Sequence, residues 1–418
     1  MNVQDKINQD LRHNYFVTFL DGTFFWLGNS FFAERTILPL FISQLTDSTL
    51  AIGILSALVA TGTMLPQLFT ANWVQRSPVK KMFPVNIGFF TERLPIIALV
   101  LAAWMVTWSK PAALIFTLVC FGWFKLGIGV VAVGWQDMVA KLFPMRTRGR
   151  FFGTTFFVGT VAGILGASGA AWVLDNYPFP TNYMISFGLG AVFMMISWGF
   201  LALTKEPADP PKIIPPKKSV DWKKIREVLK EDTNFRRYIL ASIIGAMGTM
   251  AVGFLTIFTL NQWQLPISLI GLFTTFFLCG QAVGSLGFGW LADRYGHKLV
   301  LEIINLLSAF SLVIALLAKS PQVFYLVFAL QGAYGAAAML SGINIVFEFC
   351  TPDVRPTYIG LANTAIGIFT GLAPLIGGLI IDQFNYTALF TTAMVFSLAA
   401  YFALRFGVAE PRLSHQST

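Results

Sequence analysis

Six ionisable side chains stand inside long apolar stretches in the first half of the chain. They are three acids and three bases: Asp21, Glu34, Arg35, Glu92, Arg93 and Lys125. A charge near the centre of a membrane-spanning helix costs about 2.5–3.5 kcal/mol even on the lenient insertion scale, so each group needs a partner or water. A buried acid beside a base can exchange that partner for a proton. The set predicts a pathway for protons or a polar solute, with Asp21 and Glu34 as leading proton carriers.

The same six residues also fit a purely structural arrangement. Three acids and three bases can neutralise one another inside a rigid bundle, and Lys125 can either line a cavity or form an ion pair with Glu92. The three histidines lie outside the apolar stretches, so no histidine is available there to carry a proton. In the second half the matching stretches offer mainly neutral groups, and Gln331 stands at the position that corresponds to Lys125.

The elements that must hold these residues are membrane-spanning helices. The chain has 418 residues, of which 56% are apolar and only 12% are charged, and its mean hydropathy is +0.68; soluble domains carry about 25% charged residues. A span needs roughly 20 apolar residues to cross the bilayer core. We therefore predict an all-α integral membrane protein with twelve spans, at residues 15–44, 49–71, 82–108, 111–139, 151–176, 181–204, 237–262, 268–291, 299–318, 321–349, 357–382 and 386–409.

The distribution of positive charge predicts the orientation of these spans. Of the 29 lysines and arginines, Lys110 and Lys319 alone fall in loops on one side, three lie well inside spans, and all the others fall in loops or at span ends on the opposite side. The positive side of a membrane protein faces the cytoplasm. We expect both termini to be cytoplasmic, as an even number of spans requires, in a plasma membrane protein without a removable signal peptide. The three cysteines have no metal-like spacing, so we expect neither a metal nor a cofactor.

One long polar break divides the twelve spans six and six. We predict domains at 1–204 and 237–418, joined by a cytoplasmic linker at 205–236 that is proline-rich and then forms a short amphipathic helix. The two halves repeat one another in several short matches. Arg148, Gly153 and Asp175 match Arg355, Gly360 and Asp382 at one constant offset, and Arg76 and Lys80 match Arg294 and Lys298 at a slightly larger one. The repeat predicts two pseudo-symmetric six-helix bundles.

The loop GWLADRYGHK at 289–298 contains Asp293, Arg294, Gly296 and Lys298 between two apolar runs. Its order of glycine, acid, base, glycine and base resembles the loop signature of major facilitator superfamily transporters, and the resemblance extends over the whole chain. It implies a conformational latch in which Asp293 accepts N–H groups at the start of the eleventh or the fifth span in only one access state. We favour the fifth span, near Arg148, because that contact would bridge the two halves. A static tight turn is the alternative.

The first-half counterpart of this loop, at 71–80, departs from the family pattern. Gln75 replaces the acid, so the latch should be weaker there, although Arg76 remains; Arg355 repeats Arg148 in the second half. Small residues on the fifth and eleventh spans predict close helix packing. They are Gly159, Gly163, Gly367, Gly371 and, beside them, Pro374. Ile164 stands where drug antiporters of the family carry a proline.

The resemblance implies a secondary active transporter that moves a small organic solute by alternating access. The intramembrane charges favour proton coupling, and the partners we expect are a small-molecule substrate, protons and lipid, with the chain acting as a monomer. The alternatives are a multidrug efflux antiporter and a transporter-like sensor without net transport. A phosphate-cradling loop and a catalytic cluster are both missing from the sequence, so we expect neither an ATP-driven pump nor an enzyme.

Overall fold

The computed structural model describes residues 3–63, 65–143, 145–208, 228–350 and 355–411. These described residues are almost all helical, and no β-strand occurs among them. The α-helices, numbered along the chain, are α1 (Val3–Ser30), α2 (Ile37–Leu45), α3 (Thr49–Thr61), α4 (Leu65–Arg76), α5 (Leu94–Met105), α6 (Lys110–Leu142), α7 (Met145–Asn176), α8 (Thr181–Ala202), α9 (Thr233–Gly248), α10 (Leu255–Trp263), α11 (Leu269–Tyr295), α12 (His297–Leu317), α13 (Val323–Phe349), α14 (Arg355–Gln383) and α15 (Tyr386–Gly407).

Ten helical segments of the described residues are long and apolar enough to cross a membrane. Their ends agree within a few residues with ten of the twelve predicted spans. In one of them a 3₁₀ turn, Thr249–Phe254, joins α9 to α10 without a loop. The prediction of an all-α membrane protein is confirmed.

The other two predicted spans, 15–44 and 49–71, are not continuous helices, which corrects the prediction. The first is divided into α1 and α2 by turns at 31–36, and the second into α3 and α4. Pro39 lies in the first turn of α2 and Pro66 in the first turn of α4. Proline lacks an N–H and fits the first turn of a helix but not its interior, so each helix must begin again just before its proline.

Two compact units divide the chain. The first contains Met1–Thr46, Gly62–Lys217 and Pro266–Gly271; the second contains Asp47–Thr61, Lys218–Leu265 and Leu272–Thr418. Helix α3 therefore groups with the second unit although it precedes most of the first in the chain. The predicted domain boundaries stay a prediction, and most of the predicted linker, with its amphipathic helix, lies outside the described residues.

In the second unit, α3 is fixed along the surface of α14. The Thr49 hydroxyl donates to the Gly378 carbonyl oxygen at 2.6 Å and to Asp382 Oδ1 at 2.8 Å. The backbone N–H of Thr49 also points to Asp382 Oδ1, at 3.4 Å, so this carboxylate caps the start of α3, where the helix dipole favours an anion. A methyl group on Gly53 would meet the Pro374 carbonyl oxygen at 2.7 Å. The two backbones are therefore in direct contact.

The predicted packing glycines have different surroundings. A methyl group on Gly159 would lie 2.5 Å from an indole carbon of α1, and one on Gly371 would lie 2.5 Å from a threonine methyl of α3. Gly163 is buried. A methyl group on Gly367 would meet nothing within 4 Å, so close packing is not seen there. Whether helices slide at the others stays a prediction.

In the first unit, α6 lies directly on the segment that precedes α5. A methyl group on Gly127 would collide with the Thr91 backbone, and one on Gly134 would lie 2.5 Å from Phe83 Cβ. Glycine is required at both points because the backbones approach so closely. This contact fixes the segment 83–93, which carries two of the predicted site residues.

Candidate functional site

Glu92 and Arg93 end the second of two π-helical segments, Phe83–Ile87 and Phe89–Arg93. Such wider turns are rare and occur frequently at functional sites. The two side chains are buried, at 5% and 2% exposure, and Arg93 Nη1 donates to Glu92 Oε2. Two adjacent residues therefore form an ion pair inside the first unit.

A second buried carboxylate, that of Asp21 on α1, joins this pair through a serine. The Ser197 hydroxyl on α8 donates to Asp21 Oδ1 at 2.6 Å, and Arg93 Nη2 reaches the same Ser197 oxygen at 3.4 Å. The Trp135 side chain on α6 is a further hydrogen-bond partner of Asp21. The cluster of Asp21, Glu92, Arg93 and Ser197, called the acid cluster below, thus joins three helical segments.

The acid cluster contains two carboxylates and one guanidinium group. Among the described residues, the charged groups that act on Asp21 are Arg93, which attracts its anion, and Glu92, which repels it. Arg93 also lies over the Phe25 ring, 5.6 Å from its centroid, and its Nε atom has no hydrogen-bond partner in the described part of the chain. When all three groups are ionised, the cluster carries one uncompensated negative charge.

Glu34 and Lys125 form a separate and balanced ion pair. Glu34 lies in the break between α1 and α2, and its carboxylate contacts the ammonium group of Lys125 on α6. The Glu34 side chain is 24% exposed and that of Lys125 only 8%. The Lys125 ammonium also lies 5.6 Å and 5.9 Å from the ring centroids of Phe121 and Phe124, which adds cation–π attraction.

Sequence reasoning left open whether Lys125 pairs with Glu92, and the structure gives a different pairing. Glu92 forms its ion pair with the adjacent Arg93, and Lys125 forms its ion pair with Glu34. Arg35 follows Glu34 in the same turn and is half-buried. Five of the six predicted residues therefore fall into two groups, one balanced and one with an excess acid.

Gln331 of the second unit lies in a neutral environment. Its amide Nε2 donates to Ser311 Oγ at 2.6 Å, and the Ser311 hydroxyl donates to the Ser308 carbonyl oxygen at 2.8 Å. Gln331 is 2% exposed, and its Oε1 has no hydrogen-bond partner among the described residues. This predicted pathway residue thus sits in a row of neutral polar groups on α12 and α13.

The loop at 289–298 is a tight turn between α11 and α12. Gly296 has φ +97° and separates the two helices, a backbone conformation that favours glycine. Asp293 and Arg294 are exposed, and the guanidinium group of Arg294 lies over the rings of Trp290 and Tyr295, at 5.6 Å and 5.4 Å. Arg294 therefore contacts its own helix within the second unit.

Lys298 is buried at the start of α12 and pairs with a residue that sequence reasoning missed. Its ammonium lies 3.0 Å from Glu302 Oε1, one helical turn along. Arg405, near the end of α15, reaches Glu302 Oε2 at 3.5 Å. The spacing of four residues between Lys298 and Glu302 is a known pattern for helix ion pairs and could have revealed the first contact.

The first-half counterpart of the loop is built differently. Lys80 is buried, and its ammonium donates to the carbonyl oxygens of Val74 and Ser77 at 2.6 Å and 2.7 Å. It also lies 3.5 Å from Asp137 Oδ2 at the end of α6. Arg76 is exposed. The side chains of three predicted latch residues lie outside the described part of the structure: Gln75, Arg148 and Arg355.

Comparison with known proteins identifies the family. The sequence profile of the Major Facilitator Superfamily matches residues 15–262 and 238–418. The chain belongs to the major facilitator superfamily. It is a multi-pass membrane transporter of small solutes rather than an enzyme, and its fold is the twelve-helix fold of that family.

Three similar proteins illustrate how close these relationships are. The chain is 24% identical over 379 residues to YfkF, an uncharacterised transporter of this superfamily from Bacillus subtilis, covering 86% of this chain and 88% of YfkF. It is 31% identical over 140 residues to the benzoate transport protein of Acinetobacter baylyi, covering 32% of this chain and 29% of that protein. The crystal structure of a D-xylose-proton symporter superposes with a TM-score of 0.66 at 14% identity, covering 95% and 98% of the two chains.

Apart from YfkF, the curated relatives match this transporter over about a third or less of their own length. The shared fold with the symporter structure, at such low identity, is a likeness of architecture alone. The residues that could define a solute or a coupling ion must therefore be judged from this chain's own geometry.

Glu206, directly after α8, is a second residue that sequence reasoning missed. Its carboxylate accepts hydrogen bonds from the backbone N–H groups of Lys80 and Lys81, at 3.0 Å and 2.6 Å, and from the Lys141 ammonium at 2.9 Å. Lys81 in turn donates to two carbonyl oxygens at the end of α8, at 2.6 Å and 2.7 Å. Burial lowers the pKa of Lys81, and the nearby Glu206 carboxylate opposes that shift.

A pair of asparagine clamps repeats in the two units of this transporter. Asn14 donates to the Lys205 carbonyl oxygen at 2.9 Å and accepts from the Lys205 N–H at 2.8 Å. Asn234 makes the same two bonds with Ala409, at 3.1 Å and 2.8 Å. A Glu-Pro pair follows each clamped residue in the sequence. The clamps confirm in three dimensions that the two halves share a plan, and they involve residues that the sequence matches did not include.

Proposed function

We propose that this protein is a secondary active transporter that couples the movement of a small organic solute to protons, and that the coupling proton binds in the acid cluster. The observation that carries the proposal is the charge count of the cluster. Asp21 and Glu92 share one cation, Arg93, within the first unit. An ionised carboxylate inside a membrane protein is costly unless it is paired. Binding one proton removes the excess charge.

The hydrogen bonds of the cluster support an exchange of partners. The Ser197 hydroxyl donates to Asp21 and lies within reach of Arg93. When Asp21 holds a proton, Arg93 is left to Glu92 alone; when Asp21 is ionised, both carboxylates compete for the same guanidinium group. Protonation therefore changes how tightly α1 is held to α8 and to the segment 83–93. A change of this kind can be coupled to alternating access.

The Glu34–Lys125 pair supports a separate place for the solute. The Glu34–Lys125 pair has no excess charge for a proton to neutralise. A carboxylate of the solute can replace Glu34 as the partner of Lys125. The Phe121 and Phe124 rings beside the ammonium suit an aromatic solute. A relative of this chain is named for benzoate transport, and benzoate is therefore the first solute to test.

The test is uptake into proteoliposomes with and without an inward pH gradient. Radiolabelled benzoate, an anion, is compared with D-xylose, a neutral solute. The comparison shows whether the protein transports an anionic or a neutral solute. We expect proton-driven accumulation of one solute in the unmodified protein. Asp21→Asn should abolish accumulation but keep exchange of solute at equal pH, because a neutral cluster no longer needs a proton.

A matched control is Asp47→Asn, since Asp47 is an exposed acid outside the cluster. It should accumulate solute like the unmodified protein. Accumulation that is unchanged in Asp21→Asn, or transport that never responds to a pH gradient for any solute carried, would refute proton coupling at this cluster. Loss of accumulation in Glu34→Gln but not in Asp21→Asn would indicate that the coupling proton binds Glu34, the other predicted carrier.

The orientation and latch remain part of the proposal. We place both termini in the cytoplasm of a plasma membrane protein because of the charge asymmetry of the loops, and we assign the exposed Asp293 to a latch between access states. Labelling of single cysteines introduced at Lys110 and Lys319, by a reagent that does not cross membranes, should occur from outside intact cells. Labelling only after the cells are opened would contradict the orientation.

A further inference from the structure

The end of the second unit at which α9 begins and α15 ends carries exposed cations beside exposed apolar rings. Arg237 is exposed in the second turn of α9, and its Nη1 donates to the Gly407 carbonyl oxygen at 3.4 Å. Arg405 is 54% exposed near the end of α15. The two arginines thus flank the end of one helix.

Neither of these arginines has a carboxylate to itself among the described residues. Arg237 is bonded to a carbonyl oxygen, which leaves its charge intact. Arg405 shares Glu302 with Lys298, so two cations face one carboxylate. Of the other acids at this end, Asp232 caps α9 by accepting from the Phe235 N–H at 2.8 Å. Both exposed guanidinium groups can therefore contact a further anion.

The surface below these cations is apolar and faces outward. Phe402 and Phe406 are 53% and 79% exposed on α15, and their rings stack at 6.1 Å. Leu240, one turn beyond Arg237 on α9, is 55% exposed. Cations at the end of a span with aromatic and aliphatic side chains beneath them match the two parts of a phospholipid, an anionic head group and its acyl chains.

We propose that this surface binds an anionic phospholipid, whose phosphate contacts Arg237 and Arg405 while its chains lie along Phe402, Phe406 and Leu240. The occupant is a lipid rather than a free phosphate because the cations continue directly into the apolar surface. The predicted orientation places this end in the cytoplasmic leaflet, where anionic lipids are found. The proposal is independent of the solute and of proton coupling.

The first unit supplies an internal control. At the equivalent carbonyl oxygen, that of Leu203, the donor is the His13 ring at 3.0 Å instead of an arginine. The nearby Lys205 is 58% exposed, but its ammonium lies 3.1 Å from Asp10. The Lys205 ammonium is therefore already paired with a carboxylate, and Lys205→Gln is a matched variant that should not affect lipid binding.

The experiment uses the full-length protein in a nonionic detergent, titrated with phosphatidylglycerol or phosphatidylcholine. Native mass spectrometry counts the bound lipids, and thermal unfolding measures stabilisation, since a ligand of the folded state raises apparent stability. We expect preferential binding of phosphatidylglycerol. Its affinity should fall about fivefold in Arg237→Gln and about thirtyfold in Arg237→Gln/Arg405→Gln, given the usual contribution of a cation near an anionic lipid surface.

Two further variants test the proposal even if the double glutamine variant folds poorly. Arg237→Lys/Arg405→Lys retains both charges and should bind within about threefold of the unmodified protein, because the head-group attraction is mainly electrostatic. Lys205→Gln should be unchanged. Equal binding of the two lipids, unchanged binding in the glutamine variants, or equal stabilisation by inorganic phosphate would each overturn the proposal.

Discussion

The junction of α1, α8 and the segment 83–93 in the first unit and the junction of α9, α12 and α15 in the second are built alike but filled differently. The first holds Asp21, Arg93 and Ser197, linked by hydrogen bonds. The second holds Ser308 and Ser397, whose hydroxyl groups are 3.4 Å apart, beside glycine on α9. The same arrangement of three helices thus holds ionisable groups in the first unit and small neutral groups in the second. Under the proposed function, the first unit carries the proton site at this junction and the second unit supplies only packing there.

The largest difference between the junctions should appear when the buried cation is removed. Arg93→Leu leaves Asp21 and Glu92 without a cation, and breaking a buried pair in this way costs about 3–5 kcal/mol. Ser308→Ala in the second unit removes one neutral hydrogen bond and should cost about 1 kcal/mol. Unfolding in increasing concentrations of sodium dodecyl sulfate measures both. Similar losses for the two variants would mean that the charged junction is not special.

The serines of the two junctions give a more conservative comparison. Ser197→Ala removes a hydrogen bond to a carboxylate, which contributes about 1.5–3 kcal/mol, whereas Ser397→Ala removes a bond between neutral groups that contributes about 0.5–1.5 kcal/mol. The same unfolding assay applies. If Ser397→Ala is the more harmful change, Asp21 does not depend on the serine.

The asparagine clamps test the opposite expectation, that the shared parts of the two units are equivalent. Asn14→Ala and Asn234→Ala each remove two bonds to a backbone amide unit near the surface, and each should cost about 1–2 kcal/mol. Unfolding measurements should place the two values within about 0.5 kcal/mol of each other, because the two clamps make the same pair of hydrogen bonds. A clear difference would show that the repeated contact is not used equally.

The smallest expected effect concerns the loop at 289–298 and its first-half counterpart at 71–80, which lacks the acid. Asp293→Asn removes a charge that can interact with a helix start, worth about 0.3–1 kcal/mol, whereas Gln75→Ala removes no charge. Cysteine accessibility from the two sides of the membrane should therefore shift up to about fivefold in Asp293→Asn and less in Gln75→Ala. Equal shifts would contradict an asymmetric latch.

The helices were largely predictable because membrane spans impose length and apolarity on the sequence directly. The first two spans were the exception. Pro39 and Pro66 were visible, but a hydropathy pattern does not report where a helix must stop and begin again. The π-helical turns at 83–93 were equally hidden, since they change the winding within a continuous apolar stretch.

The candidate site was predictable in residue type and only partly in pairing. The six intramembrane charges of the first half could be named because charge is rare in such segments, whereas Glu302 inside the ninth span was missed. The partner of Lys125 depends on how α6 faces the break at Glu34. Glu206 and the clamps at Asn14 and Asn234 were missed because their contacts join segments far apart in the chain. Ordinary surface residues give no sequence signal for such contacts.

Proton coupling at the acid cluster, as proposed, requires a protonated carboxyl group on Asp21 or Glu92. Infrared difference spectroscopy of the purified protein, recorded as the pH is raised, detects the carbonyl stretch of a protonated carboxylic acid directly. We expect one such band that disappears as the cluster ionises, is lost in Asp21→Asn or in Glu92→Gln, and is retained in Glu34→Gln. No protonated carboxyl band, or one that disappears only in Glu34→Gln, would contradict it.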